Sequence, residues 1–185
     1  MAIIPQGSIV PKSSAARSPR VRLAMLALAA VIVAADQITK TLVLASHSAA
    51  RTTVAGTGFV NIRLVRNTGA NGGIAAGYPV LVTLVAAAIA GVAIVFALRS
   101  RGRAMAICLA AVVGGALGNL ADRLLRACGF GRGAVVDWIH LGALNGSFNL
   151  ADLAIQFGVI GFVIALLADE HSRRARQPRE QVTAP

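Results

Sequence analysis

The stretch FNLADLAIQFGVIGFVIALLA, residues 148–168, decides the class of this protein. Asp152 is its only charged residue. The stretch is long enough to cross the ~30 Å hydrocarbon core of a bilayer as a helix, which takes ~20 residues. A carboxylate at the start of such a segment is costly unless it is paired or used, so an acid there is a candidate functional residue. Asp152, with Asn149 three residues before it, is therefore the first candidate.

Three more stretches are similarly apolar: residues 21–44, 79–98 and 104–121. The whole chain has 185 residues, of which 56% are hydrophobic and only 14% are charged. We therefore predict an all-α membrane protein with four transmembrane helices, formed by one domain of residues 21–170. Basic residues precede the first stretch, as in a secretory signal peptide. It is too long for such a peptide and a charged helical motif follows it, so we expect it to be retained.

Two terminal segments and one connection differ in composition from the membrane helices. Residues 1–20 and 171–185 are rich in Pro, Ser and Arg, which predicts disordered polar tails, both cytoplasmic. The segment FVNIRLVRN, residues 59–67, alternates in part between apolar and polar side chains. This pattern predicts a short strand on the outer side of the membrane.

The net charge of +11 is concentrated beside the apolar stretches. Three basic segments precede the first stretch, join the second to the third, and follow the fourth: Lys12, Arg17, Arg20, Arg22; Arg99, Arg101, Arg103; Arg173, Arg174, Arg176, Arg179. Cytoplasmic segments carry excess Lys and Arg near helix ends, so both termini are predicted to be cytoplasmic. We exclude nucleic-acid binding because no aromatic platform accompanies the charge.

Four of the seven acids are predicted to lie near the outer face of the membrane. Asp36 is ~21 Å along the first helix from Arg22, at 1.5 Å per residue. Asp122 closes the third helix, Asp152 opens the fourth, and Asp137 lies in the connection between them. An acid at such a depth must be paired or functional.

Two groups of polar residues are best explained as structural support. Asp36 and Lys40, in DQITK, share a helix face and can form an ion pair. We expect this pair to lie away from any catalytic acids. Asn119 and Asp122, in GNLADR, also share a face, and the adjacent Arg123 can pair with a carboxylate or reach the membrane surface.

Asp137 and Asp152 differ from these, because neither has a cation four residues away. Two carboxyl groups held together in an apolar site cannot both ionise easily, so one can act as general base on a water and the other as general acid. The spacing alone does not establish that the two groups meet. A proton relay or an ion site in a small transporter would use the same residues.

Five motifs in order along the chain resemble one family: DQITK (36–40), RNTGA (66–70), GGALGNLADR (114–123), VVDWI (135–139) and FNLAD (148–152). Together they resemble lipoprotein signal peptidase, or signal peptidase II, over residues 21–170. The resemblance implies a four-helix intramembrane aspartyl peptidase of the bacterial cytoplasmic membrane, with a small extracytoplasmic β platform. It also implies cleavage of prolipoprotein signal peptides before a diacylglyceryl-modified cysteine.

The resemblance further assigns residues and partners. It implies that Asp137 and Asp152 are catalytic, and that a second set supports them or binds substrate: Asp36, Lys40, Asn67, Gly69, Asn119, Asp122, Arg123, Asn149 and Ala151. It implies no metal and no cofactor. The expected partners are the lipid-modified prolipoprotein and membrane lipids, and we expect a monomer.

One motif departs from the family pattern. The family usually continues NTGA with a further alanine and an aromatic residue, whereas this chain reads NTGANGG, and only IAAGY separates Gly73 from Pro79. This predicts a shortened element on the outer side, which affects the grip on substrate more than the chemistry. A divergent or inactive paralogue and a small non-enzymatic transporter are the alternative interpretations.

Overall fold

A computed structural model describes residues 19–48, 59–70, 73–100, 102–126, 129–142 and 146–176. Most of the predicted N-terminal tail, and the last nine residues of the C-terminal one, lie outside these ranges. The elements in chain order are α1 (Pro19–Ser48), β1 (Val60–Asn67), α2 (Pro79–Arg99), α3 (Arg103–Leu125), β2 (Val135–Leu141), β3 (Gly146–Phe148) and α4 (Leu150–Arg176).

The four helices are each long and apolar enough to cross a membrane, which confirms the predicted architecture. Helix α3 is central, because α4, α1 and α2 all pack mainly against it. It is also the most buried of the four, whereas large apolar side chains of the other helices, such as Leu26, Leu84 and Phe157, are exposed. In a membrane, those exposed side chains face lipid rather than water.

Glycines on α3 allow its neighbours to approach closely. A Cβ at Gly115 would collide with the backbone carbonyl of Ala151 on α4, and one at Gly118 would come within 2.8 Å of an Asp36 carboxylate oxygen on α1. Small residues at such positions are how membrane helices pack without large side chains between them. The first turn of α4 is therefore set directly against α3.

A three-stranded antiparallel sheet, in the order β1-β2-β3, lies in the connections between the helices. Strand β1 confirms the strand predicted for residues 59–67. Asp137, in the middle of β2, is the register partner of Val65 on β1, and Ile139 pairs with Phe148 on β3. Backbone hydrogen bonds to β1 and β3 thus fix the position of β2, and Asp137 lies in the first part of this strand, which is buried.

Helix α4 is longer than the apolar stretch that predicted it. It continues to Arg176, into the segment that we expected to be a disordered tail. Two ion pairs, each between residues one helical turn apart, stabilise this last part of α4. They join Asp169 to Arg173 at 2.9 Å, and Glu170 to Arg174. Pairs at this spacing stabilise a helix that burial no longer supports.

Candidate active site

The two acids of the predicted dyad line one cavity. Asp137 on β2 and Asp152 in the first turn of α4 both face a space of about 550 Å³ between α2, α3, α4 and the sheet. Asn67, Asn119 and Arg123 line the same cavity. Two carboxyl groups separated by a strand, a connection and a helix start are thus brought to one place.

Asn149 joins the two acids. Its side-chain Nδ2 donates to Asp137 Oδ1 at 2.7 Å, and its backbone N–H donates to Asp152 Oδ2 at 3.2 Å. Its side-chain oxygen in turn accepts from the Asp152 N–H at 2.9 Å, which caps the start of α4. Since Asn149 is fully buried, this one residue fixes both carboxyl groups relative to each other, through its side chain for Asp137 and through its backbone N–H for Asp152.

Asp137 sits in an environment that favours its neutral form. Burial raises the pKa of Asp137, and the nearby negative charge of Asp152 raises it further, to about 6. Hydrogen bonds from Asn149 and from Asn67 Nδ2, the latter at 3.3 Å, oppose the shift. Asp137 can therefore hold or release a proton close to neutral pH.

A buried lysine lies behind the dyad. The ammonium of Lys40 contacts Asp36 at 2.7 Å, Asp122 at 2.8 Å and Asn119 Oδ1 at 3.0 Å, and all but Asn119 are fully buried. Asn119 then donates from Nδ2 to Asp152 Oδ1 at 2.7 Å. Our expectation that the Asp36–Lys40 pair lies away from the acids is wrong, because only Asn119 separates Lys40 from Asp152.

The two carboxylates paired with Lys40 each hold a backbone N–H next to a dyad acid. Asp36 Oδ1 accepts from the N–H of Ala151 at 3.0 Å, and Asp122 Oδ2 accepts from that of Val136 at 3.1 Å. Ala151 precedes Asp152, and Val136 precedes Asp137. The buried ion cluster thus positions both acids through the main chain.

The chain after β1 closes the other side of the cavity. Asn67 Oδ1 accepts from the Gly69 N–H at 3.0 Å, and Arg123 donates from Nη2 to the Gly69 carbonyl at 2.5 Å. A Cβ at Gly69 would collide with the backbone of Gly73 and Ile74, so this tight turn requires glycine. The buried Arg123 side chain also brings a positive charge near Asp137 and Asp152.

Two residues outside the predicted set belong to this network. Gln37 Nε2 donates to Asp122 Oδ1 at 3.0 Å, and its oxygen accepts from Arg126 Nη2 at 3.1 Å. Arg126 Nε also contacts Asp122 Oδ1, at 2.5 Å. This pair is not among those predicted from the sequence, although the spacing of four residues between Asp122 and Arg126 would have predicted it. Asp122 is thus held by four donors, two on each oxygen.

The chemistry available at this site is that of carboxyl groups and amides. Within the described part of the chain, no group of three or more His, Cys, Asp or Glu side chains is arranged to hold a metal ion. Two acids facing one cavity, with different partners, can act as a general acid and a general base on a shared water.

The model of the Signal peptidase (SPase) II family matches residues 28–168, a range that contains every residue of this site. The chain belongs to the signal peptidase II family. It is thus classed as an aspartic peptidase and a multi-pass protein of the bacterial inner membrane.

Relatives with the same family name are similar over most of this chain. A lipoprotein signal peptidase of Leifsonia xyli subsp. xyli is 38% identical over 145 residues, which are 78% of this chain and 66% of that protein. One of Rhodococcus jostii is 39% identical over 151 residues, 79% of this chain and 73% of that protein. The chain thus spans about two thirds of the Leifsonia relative.

Solved structures of bacterial membrane enzymes, determined by the in meso method, have the same fold. One at 2.3 Å resolution matches with a TM-score of 0.68 and 29% identity, over 80% of this chain and 89% of the other. A second, at 1.9 Å, matches with a TM-score of 0.60 and 29% identity, over 79% and 94%. The fold described above is therefore similar to that of these bacterial membrane enzymes over about four fifths of the chain.

Proposed function

We propose that this signal peptidase II homologue cleaves the signal peptide of bacterial prolipoproteins before the diacylglyceryl-modified cysteine, with Asp137 and Asp152 as the catalytic pair. The observation that carries the proposal is the Asn149 bridge, in which one buried residue donates a hydrogen bond to the carboxylate of each acid at the edge of one cavity, from its side chain to Asp137 and from its backbone to Asp152. The family to which the chain belongs supports the reaction and its substrate class.

The chemistry needs one proton shared by the two acids. The ionised acid takes a proton from a water, and the oxygen of that water forms a bond to the scissile carbonyl carbon. The protonated acid donates to the carbonyl oxygen, which gives a tetrahedral intermediate. When the C–N bond breaks, the acid that took the water proton gives it to the leaving amine, and the other acid takes a proton from a hydroxyl of the intermediate, so the dyad again holds one proton. Asp137, with its pKa raised to about 6, is suited to the acid role.

The lining of the dyad cavity is also suited to binding a lipid-modified substrate. Its α2 wall consists of apolar side chains on one helix face: Leu81, Val82, Val85, Ala86 and Ile89. Ile155 continues this apolar lining on α4, next to the dyad. A peptide whose cysteine carries acyl chains can place them against these walls while its backbone reaches the two acids.

The test is cleavage by the purified chain in detergent micelles, followed by mass spectrometry. We expect a diacylglyceryl-modified prolipoprotein to be cut before the modified cysteine, and the same prolipoprotein without the lipid to remain intact. Asp169→Asn is the matched control, because it removes an acid that pairs with Arg173 at the far end of α4. Failure of the wild-type chain to cut the lipid-modified substrate would overturn the proposal.

A further inference from the structure

A second cavity lies between α1, α2 and α3 and shares no lining residue with the dyad cavity. Its volume is about 600 Å³, within the ~300–1,000 Å³ typical of small-molecule sites. On α1 it is lined by residues spaced three and four apart, which form one helix face: Arg22, Met25, Leu26, Ala29, Ala30, Val33 and Ala34. We call it the α1–α2 groove.

The α1–α2 groove has the length of one membrane leaflet. From Arg22 to Ala34 it follows α1 for about 18 Å at 1.5 Å per residue, against about 15 Å for half of a ~30 Å hydrocarbon core. Arg22 lies in the first turn of α1, so the groove begins at the membrane surface and ends near the middle of the bilayer. This is the depth that a phospholipid acyl chain occupies.

The α1–α2 groove is lined by apolar side chains, many of them small. A Cβ at Gly114 on α3 would come within 3.0 Å of the Ala29 backbone, so α1 and α3 meet closely and form its floor. Ala97 on α2 and Ala110 on α3 add small side chains, while Leu98 and Ile94 form a rim that is exposed. Such a surface accepts a flexible hydrocarbon chain and offers no partner to a polar ligand.

An arginine stands at the mouth of the groove. Arg22 is exposed and makes no ion pair with any residue in the described ranges. Met25, Ala97 and Ala106 pack in one cluster, which brings the start of α1, the end of α2 and the start of α3 together. Arg99 and Arg103 are at this same end, are also exposed, and likewise form no ion pair within those ranges.

We propose that the α1–α2 groove binds an anionic phospholipid, with one acyl chain along α1 and the phosphate at Arg22. Basic pockets between membrane helices bind acidic lipid head groups. Here the arginine can bind the phosphate of such a lipid while the apolar groove binds one of its acyl chains. A zwitterionic lipid fills the groove equally well but leaves the excess charge at its mouth uncompensated.

A second copy of the chain fits the groove less well. Small residues do allow helices to associate. A partner helix would, however, have to cover Arg22 and supply an acid to it. At this end of the bundle the described acids are Asp169 and Glu170, and both are already paired with Arg173 and Arg174 of their own helix. Self-association is therefore an outcome that the experiment must exclude.

The test is native mass spectrometry of the full chain in detergent, with equal amounts of dioleoyl phosphatidylglycerol and dioleoyl phosphatidylcholine. Because the acyl chains are the same, the ratio of the two bound lipids reports the head group alone. We expect the wild type to prefer phosphatidylglycerol, and Arg22→Gln to reduce that preference about five-fold, the effect of one arginine near an anionic surface. Arg20→Gln, exposed in the same helical turn but not in the groove, should change it little.

A second pair of variants tests the groove itself. Ala30→Leu fills it from an exposed position and should reduce the binding of both lipids, whereas Val31→Phe enlarges a neighbouring exposed side chain outside it. Equal effects of Arg22→Gln and Arg20→Gln would overturn the proposal in favour of general surface charge. So would unchanged lipid binding in Ala30→Leu, or a dimer that this variant converts to monomers. None of these results depends on peptidase activity.

Discussion

At the scale of single residues, each acid of the dyad accepts one of its side-chain hydrogen bonds from a partner that an amide oxygen could also satisfy. Asp137→Asn keeps an oxygen for Asn149 Nδ2, and Asp152→Asn keeps one for Asn119 Nδ2, while both remove the titratable proton. We expect each variant to fold and to lose cleavage by at least the ~10²- to 10⁴-fold that general acid–base catalysis contributes. Single-turnover assays with lipid-modified substrate measure this.

The transporter interpretation makes the opposite prediction for the same variants. It requires a proton or ion flux in liposomes that either Asn variant abolishes, with no peptide cut. Near wild-type cleavage by Asp137→Asn or Asp152→Asn would show that the catalytic residues are assigned wrongly.

The pH dependence of cleavage follows from Asp137. With its pKa raised to about 6 by burial and by the charge of Asp152, the proton shared by the dyad is lost as the pH rises through that value. We therefore expect kcat/KM to fall on the alkaline side of about 6, and to fall again in strong acid, where both acids are protonated. A rate that rises steadily from pH 5 to pH 9 would contradict a one-proton dyad.

A substitution of Arg126 tests whether the buried hydrogen bonds around Asp122 help to position Asp137. Arg126→Gln removes a charged partner of the buried Asp122, which holds the Val136 N–H beside Asp137. We expect a lower melting temperature, since a hydrogen bond to a charged group contributes ~1.5–3 kcal/mol, and a lower kcat with KM unchanged. Arg126→Lys should recover part of both losses. Arg132→Gln, exposed in the same connection, is the control, and an equal effect there would refute a positioning role.

At the scale of elements, the contact between α3 and α4 sets where Asp152 lies. Gly115→Ala places a methyl group against the Ala151 carbonyl and within 2.8 Å of Ile155 Cγ1. We expect α4 to shift, cleavage to fall sharply, and stability to drop by the ~1–3 kcal/mol typical of overpacking.

Gly91→Ala on α2 is the matched control for this substitution. A Cβ there meets no atom within 4 Å, so the change should leave activity intact and favour the helix by up to ~1 kcal/mol. If the Gly115 and Gly91 variants behaved alike, close packing of α3 on α4 would not be what positions Asp152.

The sequence predicted the helices and strands better than it predicted the side-chain contacts between them. Apolar length alone gave the four helices, but it ended α4 early, because the ion pairs from Asp169 onward extend the helix without apolar residues. The pairing of Asp36 with Lys40 followed from their spacing. Its link to Asp152 did not, since this depends on how closely α1 and α4 approach α3, and no local pattern encodes the bridge from Asn149 to both acids.

At the scale of the whole molecule, one end of the bundle carries basic residues at the ends of all four helices. The start of α1, the end of α2, the start of α3 and the end of α4 share one end, where Arg20, Arg99, Arg103 and Arg173 lie. The sheet and the dyad lie at the other. Because Lys and Arg near helix ends are retained on the cytoplasmic side, we propose that both termini are cytoplasmic and that the dyad faces outward.

This orientation is testable with single cysteines in a chain that carries Cys108→Ala and Cys128→Ala. Arg132→Cys lies in the exposed connection between α3 and β2, and Ser100→Cys lies between α2 and α3. A membrane-impermeant maleimide added to intact spheroplasts should label the cysteine at position 132 at once, and the one at position 100 only after the membrane is permeabilised. The reverse pattern would invert the topology and put the dyad on the cytoplasmic side, where a translocated prolipoprotein could not reach it.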